Sequence, residues 1–288
     1  MRQQIWKWML ATMVTCAACA PKPSPEDARH LERMAEVHAH DDARANAATR
    51  APATDVVTRE VVHATVNGQP VSGYLARPAN AAGKPLPGII VIHEWWGLND
   101  NIRMMTRRLA GEGYTALAVD LYGGKSASTP QEAQALAGSV MAATRPAMEN
   151  LRQAAEFLEQ EEHAPKLATI GWCFGGGWSL GAGVALPELV DAVVMYYGRP
   201  ITDPAELRSL NGPLLGLFGG ADRGIPVSDV EAMERALKEL GKDVTVHTYP
   251  GAAHAFANPS GTAYDPAAAE DAWQRTTEFL SRTIGGGR

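Results

Sequence analysis

One cysteine, Cys173, lies in a glycine-rich stretch, residues 171–177, with the sequence GWCFGGG. An apolar run, residues 167–170, precedes this stretch, and a helix-like segment, residues 178–185, follows it. A residue at the apex of a sharp turn from strand to helix adopts a positive φ, and glycines two positions away let the crossing backbones pass. The helix N-terminus favours a thiolate and a neighbouring oxyanion. The stretch therefore predicts a nucleophilic thiol, although by itself it also fits an ordinary tight turn.

Two residues further along the chain meet the other needs of a thiol nucleophile. His254 follows the last predicted strand, where its imidazole could accept the thiol proton as a general base. Asp222 lies in the stretch GGADR, and a carboxylate there would fix the imidazole tautomer and stabilise its cation. Taken singly, Asp222 also fits a loop or helix cap, and His254 a buried structural histidine. The chain order of nucleophile, acid and histidine favours a Cys–His–Asp triad.

Attack by a thiolate on a carbonyl leaves an oxyanion, which backbone N–H groups can stabilise. Phe174 directly follows the nucleophile and supplies one candidate donor. The second candidate is Trp95, in the loop after the first predicted parallel strand.

Apolar runs alternate with helix-like segments from residue 88 to residue 283. The predicted strands cover residues 88–92, 115–119, 167–170, 192–197, 214–218 and 244–249, and the predicted helices cover residues 101–111, 130–142, 146–160, 178–185, 228–240 and 267–283. Continuous apolar strands separated by helices are typical of a parallel sheet covered on both faces. In such a sheet the functional site lies at the carboxyl ends of the strands, where the candidate residues stand.

A different pattern precedes these runs. Residues 57–66 and 71–77 flank the turn Asn67-Gly68 and predict an antiparallel hairpin. The predicted fold class is therefore α/β, an α/β-hydrolase fold over residues 56–288, with a mostly parallel sheet, an N-terminal antiparallel hairpin and helices on both faces.

Several separated motifs carry a specific resemblance between residues 87 and 256. They are HEWWGLN at 93–99, DLY at 120–122 and GWCFGG at 171–176, supported by YYG at 196–198, GAD at 220–222 and AHAF at 253–256. With these motifs the chain resembles the dienelactone hydrolase family. The resemblance implies that Cys173, Asp222 and His254 form the triad. We expect that the reaction requires no metal or other cofactor.

The resemblance also gives a role to Glu94. In the family the matching glutamate lies beside the thiol and takes its proton when substrate displaces it, which protects the resting thiol from oxidation. The alternative for Glu94 is a buried carboxylate paired with Arg103 or Arg107.

The chain differs from well-known family members at the two positions where those members have arginines that bind a substrate carboxylate. Lys125 and Asn258 stand in the corresponding stretches. A lysine is only a point charge and an asparagine has none, so a small anionic lactone is less expected. We expect the substrate pocket to involve Trp96, Tyr122, Lys125 and Asn258, with the aromatic residues forming an apolar acyl pocket; such aromatics also serve as core packing.

The N-terminus has the pattern of an export signal. Arg2 and Lys7 precede an apolar stretch too short to span a bilayer, and prolines follow from Pro21. Residues 1–18 are therefore predicted to be a signal peptide. Cys19 in TCAACA fits the cysteine of a lipobox, whereas ordinary cleavage without lipidation stays open. The predicted location is the periplasm, with membrane anchoring if Cys19 is acylated.

Residues 19–55 are rich in Ala, Pro, Asp and Arg and are predicted to be a polar tether, in which residues 28–39 could form a turn or two of helix. The cluster HAHDD at 38–42 could hold a metal, but clustered ionic residues in a linker are usually solvated, and no metal is expected. The whole chain has a net charge of −6 at pH 7, which disfavours nucleic acids and anionic lipid surfaces as partners.

Together these features predict an exported hydrolase of small esters or lactones that forms a thioester at Cys173. The alternative is a binding or scaffold lipoprotein that keeps the fold without useful catalysis. A redox protein is disfavoured because the mature chain would lack a cysteine to resolve an oxidised Cys173.

Overall fold

A computed structural model describes residues 21–41, 51–81 and 83–286 of the 288-residue chain. The predicted signal peptide and Cys19 lie outside the described residues. Within them, no helix has both the length and the apolar character needed to cross a bilayer.

The described residues form eight strands and eight α-helices. The strands are β1 (Val56–Val66), β2 (Gln69–Pro78), β3 (Gly88–Ile92), β4 (Thr115–Val119), β5 (Leu167–Trp172), β6 (Ala192–Tyr196), β7 (Leu214–Gly219) and β8 (Val244–Tyr249). The helices are α1 (Pro25–Val37), α2 (Asp100–Gly111), α3 (Pro130–Ala142), α4 (Thr144–Gln160), α5 (Phe174–Ala185), α6 (Pro204–Leu207), α7 (Val227–Glu239) and α8 (Pro266–Thr283).

All eight strands belong to one sheet, in the order β1-β2-β4-β3-β5-β6-β7-β8. Strands β1 and β2 form an antiparallel hairpin, β2 pairs antiparallel with β4, and every pairing from β4 to β8 is parallel. The predicted α/β class, the N-terminal hairpin and the mostly parallel sheet are confirmed. The carboxyl ends of β3, β5, β7 and β8 therefore face one edge of the sheet, where the candidate residues were expected.

The central strands are buried because helices cover both faces of the sheet. Every residue of β3, β4 and β5 is buried. This burial explains their continuous apolar sequences, which lack the alternation of a half-exposed strand. The edge strand β8 is only half-buried and alternates apolar and polar residues.

The turn between β5 and α5 has the geometry of a nucleophile elbow. Cys173 has φ 55° and ψ −118°, and α5 begins at the next residue. A β-carbon on Gly171 would lie 2.1 Å from the carbonyl oxygen of Gly175, and one on Gly175 would lie 2.3 Å from that of Ile92. The helix start predicted at residue 178 is too late, because the glycine run was interpreted as a loop. The glycines belong to α5 and allow the helix to approach the sheet closely.

The close approach at Gly171 leads to a stability prediction. Gly171→Ala will destabilise the fold by about 3 kcal/mol or more, because backbone atoms rather than a flexible side chain fill the space. Gly181→Ala, within α5, is the control, since its β-carbon would meet only the end of Met148 at 4.0 Å. Urea unfolding should show the control to be neutral or stabilised by up to about 1 kcal/mol. Equal midpoints for the two variants would contradict the packing argument.

The predicted polar tether is wrong for residues 21–41. Ser24 and Asp27 form a capping box at the start of α1, with Pro25 in the first helical position. This helix buries His30, Leu31 and Met34, and it packs against α3. The sequence did not indicate a buried helix face here, because only two of these three buried residues are apolar.

Two ion pairs also hold α1 against the rest of the domain. Arg199, in the loop after β6, contacts the carboxylates of Glu26 and Asp27. The N-terminal segment therefore lies on the same edge of the sheet as the elbow.

Candidate active site

The structure brings Cys173, His254 and Asp222 together at the carboxyl edge of the sheet. Asp222 follows β7 and His254 follows β8, as their strand-end positions predicted. The Nδ1 atom of His254 donates to Oδ2 of Asp222 over 2.7 Å, and both side chains are 1% exposed. A ring nitrogen of His254 lies within 4.8 Å of the Cys173 sulfur. Nε2 of His254 is buried without an oxygen or nitrogen partner in the described residues, so the Cys173 sulfur is the group with which it can share a proton.

Asp222 also performs the capping role that was its alternative interpretation. Its second oxygen, Oδ1, accepts from the N–H groups of Gly224 and Ile225 at 2.7 and 2.9 Å. These bonds hold the carboxylate rigidly, so its other oxygen is fixed against the imidazole. The two roles are therefore compatible at one residue.

Charges at the site favour an ion pair between thiolate and imidazolium. Burial raises the pKa of the Cys173 thiol, but the imidazoles of His254 and His38 outweigh burial and lower this pKa to about 6. Burial lowers the pKa of His254, but the Cys173 thiolate and Asp222 outweigh it and raise the pKa to about 10. Each partner thus stabilises the charged form of the other.

Glu94 follows β3 and is buried beside this pair. Burial, and then the negative charge of Cys173, raise the pKa of Glu94 to about 7. Its Oε2 atom accepts from the side-chain amides of Asn258 at 2.7 Å and Asn101 at 3.3 Å. A carboxyl group with a pKa near that of the thiol can exchange a proton with it at a cost of only about 1 kcal/mol.

The alternative partners of Glu94 lie elsewhere. Arg103 pairs with Glu60, and Arg107 donates to the hydroxyl of Tyr74. Among the described residues, the hydrogen bonds to the Glu94 carboxylate come from side-chain amides and not from guanidinium groups. This arrangement leaves the carboxyl free to gain or lose a proton.

The raised pKa of Glu94 implies a pH-dependent cost to folding. An unfolded glutamate has a pKa of about 4.3, so between this value and about 7 the folded chain keeps a proton that the unfolded chain loses. Stability therefore falls as pH rises through this window. Glu94→Gln should be stabilised relative to the parent by ~2–3 kcal/mol more at pH 8 than at pH 4, measured by urea unfolding. A difference that is constant with pH would refute the buried-acid interpretation.

The two candidate oxyanion donors belong to the elbow and to the loop after β3. Phe174 is the first residue of α5, so its N–H has no partner within the helix. Trp95 lies in the loop after β3 and is 1% exposed. The elbow and this loop meet directly, because Gly175 packs on the backbone of Ile92 and His93.

Comparison with known proteins identifies the family. The model of the dienelactone hydrolase family matches residues 71–284. The chain belongs to the dienelactone hydrolase family. A candidate carboxymethylenebutenolidase of Saccharolobus solfataricus is 33% identical over 252 residues, covering 75% of this chain and 95% of that protein. A protein of Escherichia coli K12 with the same name is 33% identical over 230 residues, covering 75% and 83%.

Solved structures agree with this assignment. The crystal structure of a candidate dienelactone hydrolase from Klebsiella pneumoniae has a TM-score of 0.70 and 30% identity, covering 80% of this chain and 100% of that one. Brefeldin A esterase, at 16% identity and a TM-score of 0.65, shares the α/β-hydrolase fold. The chain is therefore a hydrolase-family protein with the fold that its sequence predicted.

Two of the expected substrate-pocket residues of this dienelactone hydrolase-family chain do not line the cavity beside the thiol. Tyr122 and Lys125 line a separate cavity of about 720 Å³. The Tyr122 hydroxyl donates to the carbonyl of Trp95 at 3.2 Å, so it supports the candidate oxyanion loop. The Tyr122 ring also packs against Phe174 of the elbow, with centroids 5.5 Å apart. The pocket role of Tyr122 and Lys125 stays a prediction.

Asn258 and Trp96 are near the site but have other partners. Asn258 is buried and directs its amide to Glu94, so it positions the carboxyl group rather than a substrate. Trp96 is 3% exposed and packs edge-on against His38. Both belong to the wall of the site, not to its open surface.

Cys173 is 4% exposed but borders a cavity of about 540 Å³. Its apolar wall includes Met141, Met148, Phe174, Trp178 and Ile201. Helix α1, the loop after β6 and helix α6 add a polar rim, with Glu26, Asp27, His30, Arg199, Asp203 and Glu206. The cavity beside the thiol therefore suits an apolar acyl group.

Sequence reasoning missed His38 as a site residue. Its Nε2 atom lies 3.7 Å from the Cys173 sulfur, and its Nδ1 atom donates to Asp41 at 2.7 Å. The ring also stacks on Trp95, with centroids 5.2 Å apart. Burial lowers the pKa of His38, but Asp41 and the thiolate outweigh it and raise the pKa to about 8. The cluster HAHDD was the only signal, and its spacing says nothing about Cys173.

Proposed function

We propose that this protein hydrolyses esters or lactones through a cysteine nucleophile and a thioester intermediate. The observation that carries the proposal is the placement of Cys173 at a strained elbow beside a buried His254–Asp222 pair. A hydrolase of this family with that arrangement has a nucleophile, a base and a group that orients the base.

In the acylation step, the Cys173 sulfur attacks the carbonyl carbon of the substrate. The sulfur attacks as the thiolate of its ion pair, with the former thiol proton held by His254, and the carbonyl oxygen becomes an oxyanion facing the N–H groups of Phe174 and Trp95. The bond to the alcohol oxygen then breaks, and the imidazolium of His254 protonates the leaving alkoxide. A thioester between Cys173 and the acyl group remains.

In the deacylation step, neutral His254 takes a proton from water. The resulting hydroxide attacks the thioester carbon, the carbon–sulfur bond breaks, and the acid leaves. The thiolate then returns to its ion pair with His254. Asp222 keeps the imidazole in the correct tautomer throughout and is not itself protonated.

The apolar cavity supports esters with an apolar acyl group as the substrate class. Met141, Met148 and Trp178 contribute apolar lining, whereas the two arginines that grip a carboxylate in well-known family members are absent from the matching positions. We therefore expect p-nitrophenyl esters of medium acyl length to be cleaved better than small anionic lactones.

Pre-steady-state kinetics will test the proposal. Mixing the purified protein with a p-nitrophenyl ester should release a rapid burst of nearly one p-nitrophenol per chain, followed by slower turnover. Rates should rise from acetate to longer acyl chains until the cavity is filled. Binding of the esters without any turnover would instead support a scaffold protein that keeps the fold.

Export and lipidation at Cys19 form a separate part of the proposal. The basic residues, the short apolar stretch and the small residues before Cys19 support it. After expression of the full chain in a Gram-negative host, the mature N-terminal peptide should begin at Cys19 and carry acyl chains, as measured by mass spectrometry. A cytoplasmic protein that retains residues 1–18 would contradict export, and an unmodified Cys19 would contradict lipidation alone.

A further inference from the structure

Three metal-binding atoms converge at the elbow, from three distant parts of the chain. One donor atom each of His38, Cys173 and His254 lie within 4.8 Å of one another, and all three residues are buried. The catalytic proposal uses Cys173 and His254 and has no step for His38. The position of His38 beside the nucleophile is therefore not explained by catalysis.

The spacing of these atoms suits a tetrahedral metal ion. Zinc bonds of about 2.0–2.1 Å to nitrogen and 2.3 Å to sulfur place neighbouring ligand atoms roughly 3.3–3.8 Å apart. The His38 Nε2 atom lies 3.7 Å from the Cys173 sulfur. Small rotations of the His254 ring would close the remaining distance, and its Nε2 atom is buried without an oxygen or nitrogen partner in the described residues.

Each imidazole has the outer partner that metal-bound histidines usually have. His38 Nδ1 donates to Asp41 and His254 Nδ1 donates to Asp222, both at 2.7 Å. Such carboxylates fix the tautomer so that Nε2 carries the lone pair that binds a metal. Asp41 is itself held, because Oδ1 accepts from the backbone N–H and the hydroxyl of Thr262 at 3.2 and 2.6 Å.

We propose that His38, Cys173 and His254 form a binding site for a borderline-soft divalent cation of the Zn²⁺ class. One thiolate and two imidazoles are the ligands this class prefers, and three protein ligands leave a fourth position for water. Cys173 borders the cavity of about 540 Å³, which is wide enough for water to reach that position. Bonding to the ion lowers the nucleophilicity of the sulfur, and a metal-bound His254 can no longer act as a base, so the ion reversibly blocks the reaction and shields the sulfur from oxidation.

This proposal departs from the sequence expectation that no metal binds. The sequence placed His38 in a solvated linker, whereas helix α1 and its anchor to Arg199 bring it to the thiol. The N-terminal segment thus supplies a ligand that the hydrolase domain lacks.

Cobalt substitution gives a direct readout that does not depend on catalysis. One equivalent of Co²⁺ added to the reduced, chelator-treated protein should give intense visible bands of a tetrahedral ion and a near-ultraviolet band from thiolate to cobalt. Zn²⁺ should remove both bands at one equivalent. Its affinity, measured by competition with a chromophoric chelator, should fall on the order of 100-fold or more in His38→Ala and about 10- to 100-fold in Asp41→Asn.

His40→Ala is the matched control, because His40 lies two residues from His38 in the same segment but is exposed. It should retain the parent affinity and spectrum. The proposal is overturned if Co²⁺ gives no thiolate band, or if His38→Ala binds Zn²⁺ as tightly as His40→Ala. Either result leaves the thioester mechanism standing, because the burst experiment repeated with a chelator present measures acylation without bound metal.

Discussion

Cys173→Ala will lower kcat/KM for activated esters by about 10⁴- to 10⁶-fold, the range seen when a nucleophile is removed from a triad. No other described residue combines a nucleophilic atom with the elbow and the His254–Asp222 pair. The variant should keep the fold, because alanine removes only the sulfur from a position that already adopts φ 55°. Steady-state hydrolysis of a p-nitrophenyl ester, with near-ultraviolet circular dichroism as the folding check, measures both effects.

Gly181→Ala serves as the matched control for this comparison. It changes a residue in the same helix that lines the same cavity, but it leaves the thiol and its partners untouched. Its activity should stay within a few-fold of the parent. Equal activities of Cys173→Ala and Gly181→Ala would mean that the sulfur takes no part in the reaction.

Asp222→Asn will lower kcat/KM by about 10⁴-fold while leaving the fold largely intact. The asparagine oxygen can still accept from Gly224 and Ile225, so its amide nitrogen must face His254. An N–H donor there forces the imidazole proton onto Nε2. That nitrogen can then no longer take a proton from the thiol or from water.

The kinetic measurement should show the loss mainly in kcat, with KM little changed. Asp243→Asn, an exposed aspartate just before β8, is the control and should behave like the parent. If Asp222→Asn lost stability to unfolding but kept its kcat, Asp222 would be a loop cap alone, as one interpretation of the sequence allowed.

The parts of the site predicted from the sequence follow from local rules. Gly171 and Gly175 flank Cys173 at the spacing the elbow requires, and the structure brings their backbones to within contact. His254 and Asp222 could be placed because residues after parallel strands share one edge of the sheet. These inferences needed only the order of elements, which the apolar runs made plain.

The parts that could not be predicted depend on contacts between distant segments. His38 reaches the thiol only because α1 packs on α3 and its ion pairs hold it to Arg199, and no local pattern encodes that docking. Asn258 was expected to face a substrate, but it donates to Glu94. The direction of a single side chain depends on neighbours brought by folding, which periodicity does not report.

Identification of the acylated atom tests the central claim most directly. The protein, treated with chelator, is mixed with an activated ester, quenched in acid within the burst phase, and digested for peptide mass spectrometry. We predict that the peptide containing Cys173 gains the mass of one acyl group, that hydroxylamine removes it, and that the Cys173→Ala protein carries no such adduct. Rapid ester turnover with an unmodified Cys173, or with the acyl group on another residue, would contradict the account.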